Sequence, residues 1–292
     1  MLRESRAETL TAYAFVFPAV FFYTFFLAIP TLGTVAISFF DWSGIKFADM
    51  QFVGLGNYAE LASDGVFFDA LLHNLIFIAV GTTATVVLGL GLAVLLEQEL
   101  PGSRMFRGIF FVPSVTSLVV VGIVFTLLLS PELGVVNPLL EAIGLEGLTR
   151  AWLGDPGTAL PAVIAADVWR SFGLAMFIFV AGLKGIDVGL HEAARVDGAT
   201  AWQQFRHITL PLLRPVTLTV VLLVSIQSLK LFDLVYVMTN GGPSHASEVL
   251  STWTYYQAFT FNRMGYASSI SVTLLLITVG IGILQVRANR DR

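Results

Sequence analysis

Apolar residues in this chain come in long runs, not in the short alternations of a half-buried sheet. The runs cover about 12–40, 75–96, 108–129, 159–183, 215–238 and 266–285. Each is near or above the roughly 20 helical residues that cross about 30 Å of hydrocarbon. The pattern predicts an all-α integral membrane protein with six transmembrane helices. The first run is too long for a secretory signal, whose apolar part spans about 7 to 15 residues. It reads as a retained span, bent or tilted at Pro18 and Pro30.

The polar stretches between the runs differ in character. Residues 41–73 carry Gly44, Gly54, Gly56 and five acids, and residues 97–107 form a short loop with Pro101 and Gly102 at its turn. Residues 130–158 are rich in Gly and Pro, with a short interfacial helix expected at 135–143. The insert at 184–214 is the most polar against its surroundings, with Arg195, Asp197, Gln203, Gln204, Arg206 and His207 close together. Such an insert must sit in water, and it is a place for a membrane protein to meet a soluble partner.

Composition agrees with the hydropathy pattern: 56% of residues are hydrophobic, 12% are charged, and the mean hydropathy is +0.81. A chain of this make-up cannot hide its apolar side chains in one soluble core. The net charge of -4 and the absence of a basic stripe set nucleic-acid binding aside. With no cysteine, disulfides, zinc–thiolate sites and thiol nucleophiles are excluded.

The placement of basic residues orients the spans. Eleven of the sixteen Lys and Arg (Arg3, Arg6, Arg104, Arg107, Lys184, Arg195, Arg206, Arg214, Arg287, Arg290 and Arg292) fall in the termini and the two even-numbered loops. Lys46, Arg150 and Arg263 fall in the others, and Arg170 and Lys230 lie inside spans. By the positive-inside rule both termini and the 184–214 insert are cytoplasmic.

No catalytic or metal chemistry is legible. Lys46, Lys184 and Lys230 follow Ile, Leu and Leu, so no Gly-Lys pair exists to bring a lysine onto nucleotide phosphates. There is no Gly-x-Ser-x-Gly elbow and no pair of histidines at metal-binding helical spacing. His73, His191, His207 and His245 lie in or beside loops, where solvated or capping roles are expected. Asp167 with Arg170, and Lys230 with Asp233, stand three residues apart inside spans, which places each pair on one helical face. Ionisable groups at membrane depth are costly and often functional. The pairs either line a pathway or lock helices together. An ion-coupled secondary transporter would also use such acids, and a non-transporting membrane anchor is the other alternative.

Within the insert, Glu192-Ala193-Ala194, three residues, Gly198, nine residues, Ile208, one residue and Leu210-Pro211 match without a gap the EAA loop of ABC-importer membrane subunits. Phe52-Val53-Gly54-Leu55-Gly56-Asn57-Tyr58, Thr239-Asn240-Gly241-Gly242-Pro243, the stretch 152–156 and Trp169 resemble the MalF-type permeases of carbohydrate importers. The chain differs from maltose MalF in lacking its large periplasmic insertion.

The resemblance implies a type I ABC importer permease fold in a single domain over 1–292, multi-pass in the bacterial inner membrane. Its 184–214 segment would be a coupling loop docked in a cleft of the ATPase, with Glu192 as the acid that pairs with a basic group there. Ala193 and Ala194 suit close helical packing. Gly198 suits a helix-ending turn with positive φ, a second helix follows at about 200–207, and Pro211 and Pro215 separate the insert from span five.

The partners implied are a second, similar permease, a cytoplasmic ABC ATPase dimer that holds ATP and Mg, and an extracytoplasmic solute-binding protein. This chain itself would hold no cofactor. For a small carbohydrate, the matching stretches give Ser130, Gly134, Gln227, Ser228 and Leu231 as contacts, with Phe232 or Tyr236 supplying an aromatic face.

Overall fold

The computed structural model describes residues 6–97 and 102–290; Pro101, expected at a turn, lies outside them. The described residues form helices joined by loops, with one two-stranded sheet. They divide into two compact units, Met1–Asp64 with Thr254–Thr273, and Gly65–Trp253 with Leu274–Arg292.

In the smaller unit, α1 (Arg6–Tyr23) passes through a π turn at Thr24–Ala28 into α2 (Ile29–Ile37). Pro30 falls in the first turn of α2, where its missing N–H is tolerated. Phe17, Phe21 and Phe25 line up along this helix with ring centroids 5.9 and 6.0 Å apart. The Phe52–Tyr58 stretch then forms a compact knot. Phe40–Asp41 pairs antiparallel with Gln51–Phe52, and α3 (Gly56–Leu61) follows. The Asn57 amide donates to the carbonyls of Ser38 and Phe40, both at 2.9 Å, and Tyr58 meets the Ser38 hydroxyl at 2.7 Å. Arg263 donates to both Glu60 oxygens at 2.5 and 2.6 Å, and the Gly265 N–H donates to the Trp42 carbonyl.

In the larger unit, α4 (Gly65–Ile76), a π turn at Phe77–Thr82 and α5 (Thr83–Glu97) make one helix of 33 residues. It begins ahead of the predicted start at residue 75, because the polar residues there have tertiary partners. His73 Nδ1 lies 2.8 Å from the Glu248 carbonyl, and Asn74 donates to the Ser228 carbonyl and accepts from the Leu250 N–H.

The expected straight span at 108–129 is instead a bent pair, α6 (Ser103–Val115) and α7 (Leu118–Leu128), at 99°. Pro113 has no N–H to give, and the Thr116 N–H turns back to the Pro113 carbonyl, so the helix ends there. Thr116 and Ser117 are extended, with ψ of 141° and 137°. The short helix expected at 135–143 is α8 (Val136–Ala142).

The central element is α9 (Pro156–Lys184), whose apolar window is 61% buried. Asp155 caps its start by accepting from the Gly157 N–H at 2.8 Å, and Pro156 takes the first position. Glycines set how closely its neighbours approach. A Cβ on Gly89 of α5 would stand 2.8 Å from Ala175 Cβ, and one on Gly173 of α9 would collide with the Phe110 carbonyl of α6.

After α9 come α10 (Val188–Val196), α11 (Ala201–Gln204), α12 (Leu210–Leu212) and α13 (Arg214–Leu229), with a 63° bend before α13. Span five, expected as one helix over 215–238, breaks after Leu229 and resumes as α14 (Asp233–Met238). Lys230 and Asp233 therefore do not share a helical face, and among the described residues no ion pair joins them. The last helices are α15 (Leu250–Tyr255) and α16 (Met264–Arg290).

Two apolar clusters hold the larger unit together, one around Phe77, Val163 and Leu234, the other around Met176, Phe179 and Leu213. Among the described residues four helices are long and apolar enough to cross a membrane, and six if each bent pair is one span.

Candidate coupling loop and solute cavity

The insert folds as two short helical arms around a glycine. Asp187 caps α10 by accepting from the Gly189 N–H at 2.9 Å. The helix ends in a Schellman motif: the Ala199 N–H bonds to the Ala194 carbonyl at 2.9 Å and the Gly198 N–H to the Arg195 carbonyl at 3.1 Å. Gly198 takes φ of +80°, a conformation that costs a residue with a side chain about 1–2 kcal/mol.

The second arm starts with a capping box. Thr200 accepts from the Gln203 N–H at 3.3 Å, and the Gln203 side chain accepts from the Thr200 N–H at 2.7 Å. It runs beyond the expected end at residue 207, through a π turn at Phe205–Thr209 into α12. Pro211 therefore sits inside the first turn of α12, while the chain bends at Leu213 ahead of Pro215. The arms are tied to each other where His191 Nδ1 meets Gln204 Oε1 at 3.3 Å and Gln204 donates to the Ala199 carbonyl at 3.0 Å.

This geometry brings motif residues together that are far apart in sequence. Ala194, Gly198 and Ile208 line one shallow hollow between the arms. Glu192, Ala193, Leu210 and Pro211 are exposed, with Glu192 on α10. Val196 is 88% exposed, and Trp202, stacked on Phe205 at 5.6 Å, is still 66% exposed. The sequence reading missed both, although an aromatic residue in a polar stretch was the available signal.

The base of the loop is fixed to α9. Leu213 is fully buried, and a Cβ on Gly182 would stand 2.9 Å from Val216 and 3.0 Å from Leu213. Only glycine at 182 lets α13 begin this close to α9.

Higher in the same unit, a cavity of about 190 Å³ lies between α6, α9 and α13, lined on its polar side by Ser114, Arg170, Ser171 and Gln227. Arg170 Nη2 lies 3.6 Å from Asp167, 3.4 Å from Ser171 Oγ and 3.4 Å from Gln227 Oε1. Its Nε is buried without a partner among the described residues. Ser114 is itself held, donating to the Arg170 carbonyl at 2.9 Å and accepting from the Leu174 N–H at 3.0 Å.

Of the residues the sequence pointed to, Gln227 faces this cavity. Ser228 is buried beside it, with its hydroxyl bonded to the Val224 carbonyl at 3.0 Å. Leu231 is in the apolar core, and Ser130 and Gly134 share a separate turn in which the Gly134 N–H bonds to the Ser130 carbonyl. Phe232 and Tyr236 stack on each other at 5.2 Å. Ser114 and Ser171 were missed, since a serine within an apolar run carries no signal of its own.

Residues 85–291 match the family described as the inner membrane component of binding-protein-dependent transport systems. The chain belongs to that family. The permease is 41% identical over 277 residues to the probable ABC transporter permease protein YurN of Bacillus subtilis, covering 94% of each chain. It is 35% identical over 291 residues to the lactose transport system permease protein LacF of Rhizobium radiobacter, covering 98% of this chain and 96% of that one. Its fold is that of a chain in the crystal structure of a bacterial alginate ABC transporter, with a TM-score of 0.85 at 22% identity over 97% of this chain and 95% of the other. The permease is accordingly the membrane subunit of an ABC importer, and the importer permease fold expected from the sequence is present.

Proposed function

We propose that this permease moves a sugar or sugar-like solute into the cytoplasm, driven by a separate ATPase that grips the loop at 184–214. The observation that carries the reading is the folded loop itself. Glu192 is presented on a capped helix, the helix is stopped at Gly198, and exposed Val196 and Trp202 flank the turn. Apolar side chains exposed on a polar element mark an interaction surface. Lactose in the name of one relative supports a carbohydrate cargo.

In this reading Glu192, Ala193, Ala194, Gly198, Ile208, Leu210 and Pro211 form the coupling element. The partners are a second, homologous permease, an ATPase dimer carrying ATP and Mg, and an extracytoplasmic solute-binding protein, with both termini of this chain cytoplasmic. Closure of the ATPase dimer moves the loop, and the tie between Leu213, Val216 and Gly182 passes the movement into α9 and α13. Those two helices wall the cavity in which Arg170, Ser171 and Gln227 offer hydrogen bonds to hydroxyl groups. Of the other sequence-derived contacts, Ser130, Gly134, Ser228 and Leu231, none lines this cavity.

The test is uptake of radiolabelled sugars by proteoliposomes that contain the whole complex and its binding protein. Uptake that requires internal ATP and ignores an imposed ion gradient is expected. Uptake driven by the gradient without ATP would replace this reading with an ion-coupled carrier.

A further inference from the structure

A concavity of about 1250 Å³ lies between the C-terminal ends of α5 and α9, the start of α6 and both arms of the insert. Its lining carries Arg104, Arg107, Lys184 and Arg195, with His191, against Glu97 as the single acid among the described lining residues. Among the described residues none of the four Arg and Lys side chains has a carboxylate within ion-pair distance. Arg107 spends Nη2 on the Leu96 carbonyl at 2.6 Å, while its Nε is buried with no partner among the described residues. Glu97 shares the lining with Arg107, Lys184 and His191.

Apolar side chains share the lining. Val94 and Leu183 belong to the last turns of α5 and α9, two helices long and apolar enough to cross a membrane, and exposed Met105 lies on the first turn of α6. Cationic and apolar side chains together at the ends of such helices fit an amphiphile with a negative head. A water-soluble anion has no use for the apolar part. A protein surface would reach the exposed outer arm, where Glu192 stands, before this recess between span ends.

We propose that this recess holds the phosphodiester headgroup of an anionic membrane lipid, with Arg104, Arg107, Lys184 and Arg195 around the phosphate and the start of the acyl chains on Val94 and Leu183. Each Lys or Arg near a membrane surface favours an anionic lipid by about 1 kcal/mol. A bound lipid there would join the ends of α5 and α9 to the insert, so that loop movement depends on lipid charge.

The test uses the whole transporter complex in detergent, exchanged into mixed micelles of phosphatidylglycerol and phosphatidylcholine and read by native mass spectrometry. Phosphatidylglycerol should be retained over phosphatidylcholine by the unmodified complex. Retention should fall on the order of tenfold or more in Arg104→Gln with Lys184→Gln, from the loss of two such contributions. The charge-preserving variant Arg104→Lys with Lys184→Arg should keep it, which separates charge from misfolding. Glycerol 3-phosphate added in excess should leave the lipid in place. Equal retention in the neutralised variant would overturn the proposal. So would displacement by glycerol 3-phosphate, which would mark a site for a soluble phosphate. Loss of the ATPase from the neutralised complex with lipid retention unchanged would also overturn it, as the mark of a protein-docking surface.

Discussion

Arg170 and Asp167 stand one turn apart on α9 with 3.6 Å between guanidinium and carboxylate, and their side chains are only 15% and 7% exposed. Breaking a buried pair by removing one partner leaves an uncompensated charge and costs about 3–5 kcal/mol, whereas replacing both costs far less. Arg170→Met alone should therefore lower the thermal unfolding midpoint of the complex more than Arg170→Met combined with Asp167→Asn. Equal midpoints would show that the pair is not held as described.

The cavity beside this pair gives a separate expectation. Gln227→Ala removes a polar wall of the cavity but no core packing, since Gln227 is exposed in this chain and faces Arg170 at 3.4 Å. Solute uptake should weaken through a raised half-saturation concentration, with assembly and basal ATP hydrolysis retained. Unchanged uptake kinetics would remove Gln227 from the solute path.

Gly89 and Gly91 form an internal control. A Cβ at Gly89 meets Ala175 Cβ at 2.8 Å and the Met176 backbone nitrogen at 3.0 Å, while at Gly91 nothing lies within 4 Å. Overpacking of this kind costs about 1–3 kcal/mol. Gly89→Leu should lower the unfolding midpoint or yield of the purified permease, and Gly91→Leu should not. The reverse order would contradict the packing of α5 on α9.

Gly198 tests the shape of the loop. Alanine there meets no steric neighbour but must hold φ of +80°, so Gly198→Ala should reduce ATP-driven uptake, and Gly198→Asn, which tolerates that region better, should reduce it less. The readout is uptake per correctly inserted complex. Full activity in Gly198→Ala would mean that the turn is not needed.

The class of the protein and the turn at Gly198 were legible because both rest on local chemistry: apolar runs longer than a soluble core helix, and a glycine between two short helical stretches. What was not legible depended on partners distant in sequence. The helix at Gly65 was hidden by polar His73 and Asn74, which are satisfied by backbone around Glu248, Ser228 and Leu250. The breaks at Thr116–Ser117 and after Leu229 fall inside apolar runs, and hydropathy does not register a change of direction. The pairing expected of Lys230 with Asp233 failed for that reason, while Asp167 with Arg170 lies in an unbroken helix and forms. Ser114 and Ser171 reach the cavity only through the packing of α6 on α9.

The central claim is that Glu192 on its exposed helix is where the ATPase takes hold. The most direct measurement is co-purification of the ATPase with a tagged Glu192→Lys permease, alongside ATP-driven uptake by the same complex. The account predicts a permease that inserts in the membrane in normal amount but loses the ATPase, or keeps it without uptake. Full co-purification together with full uptake would contradict it.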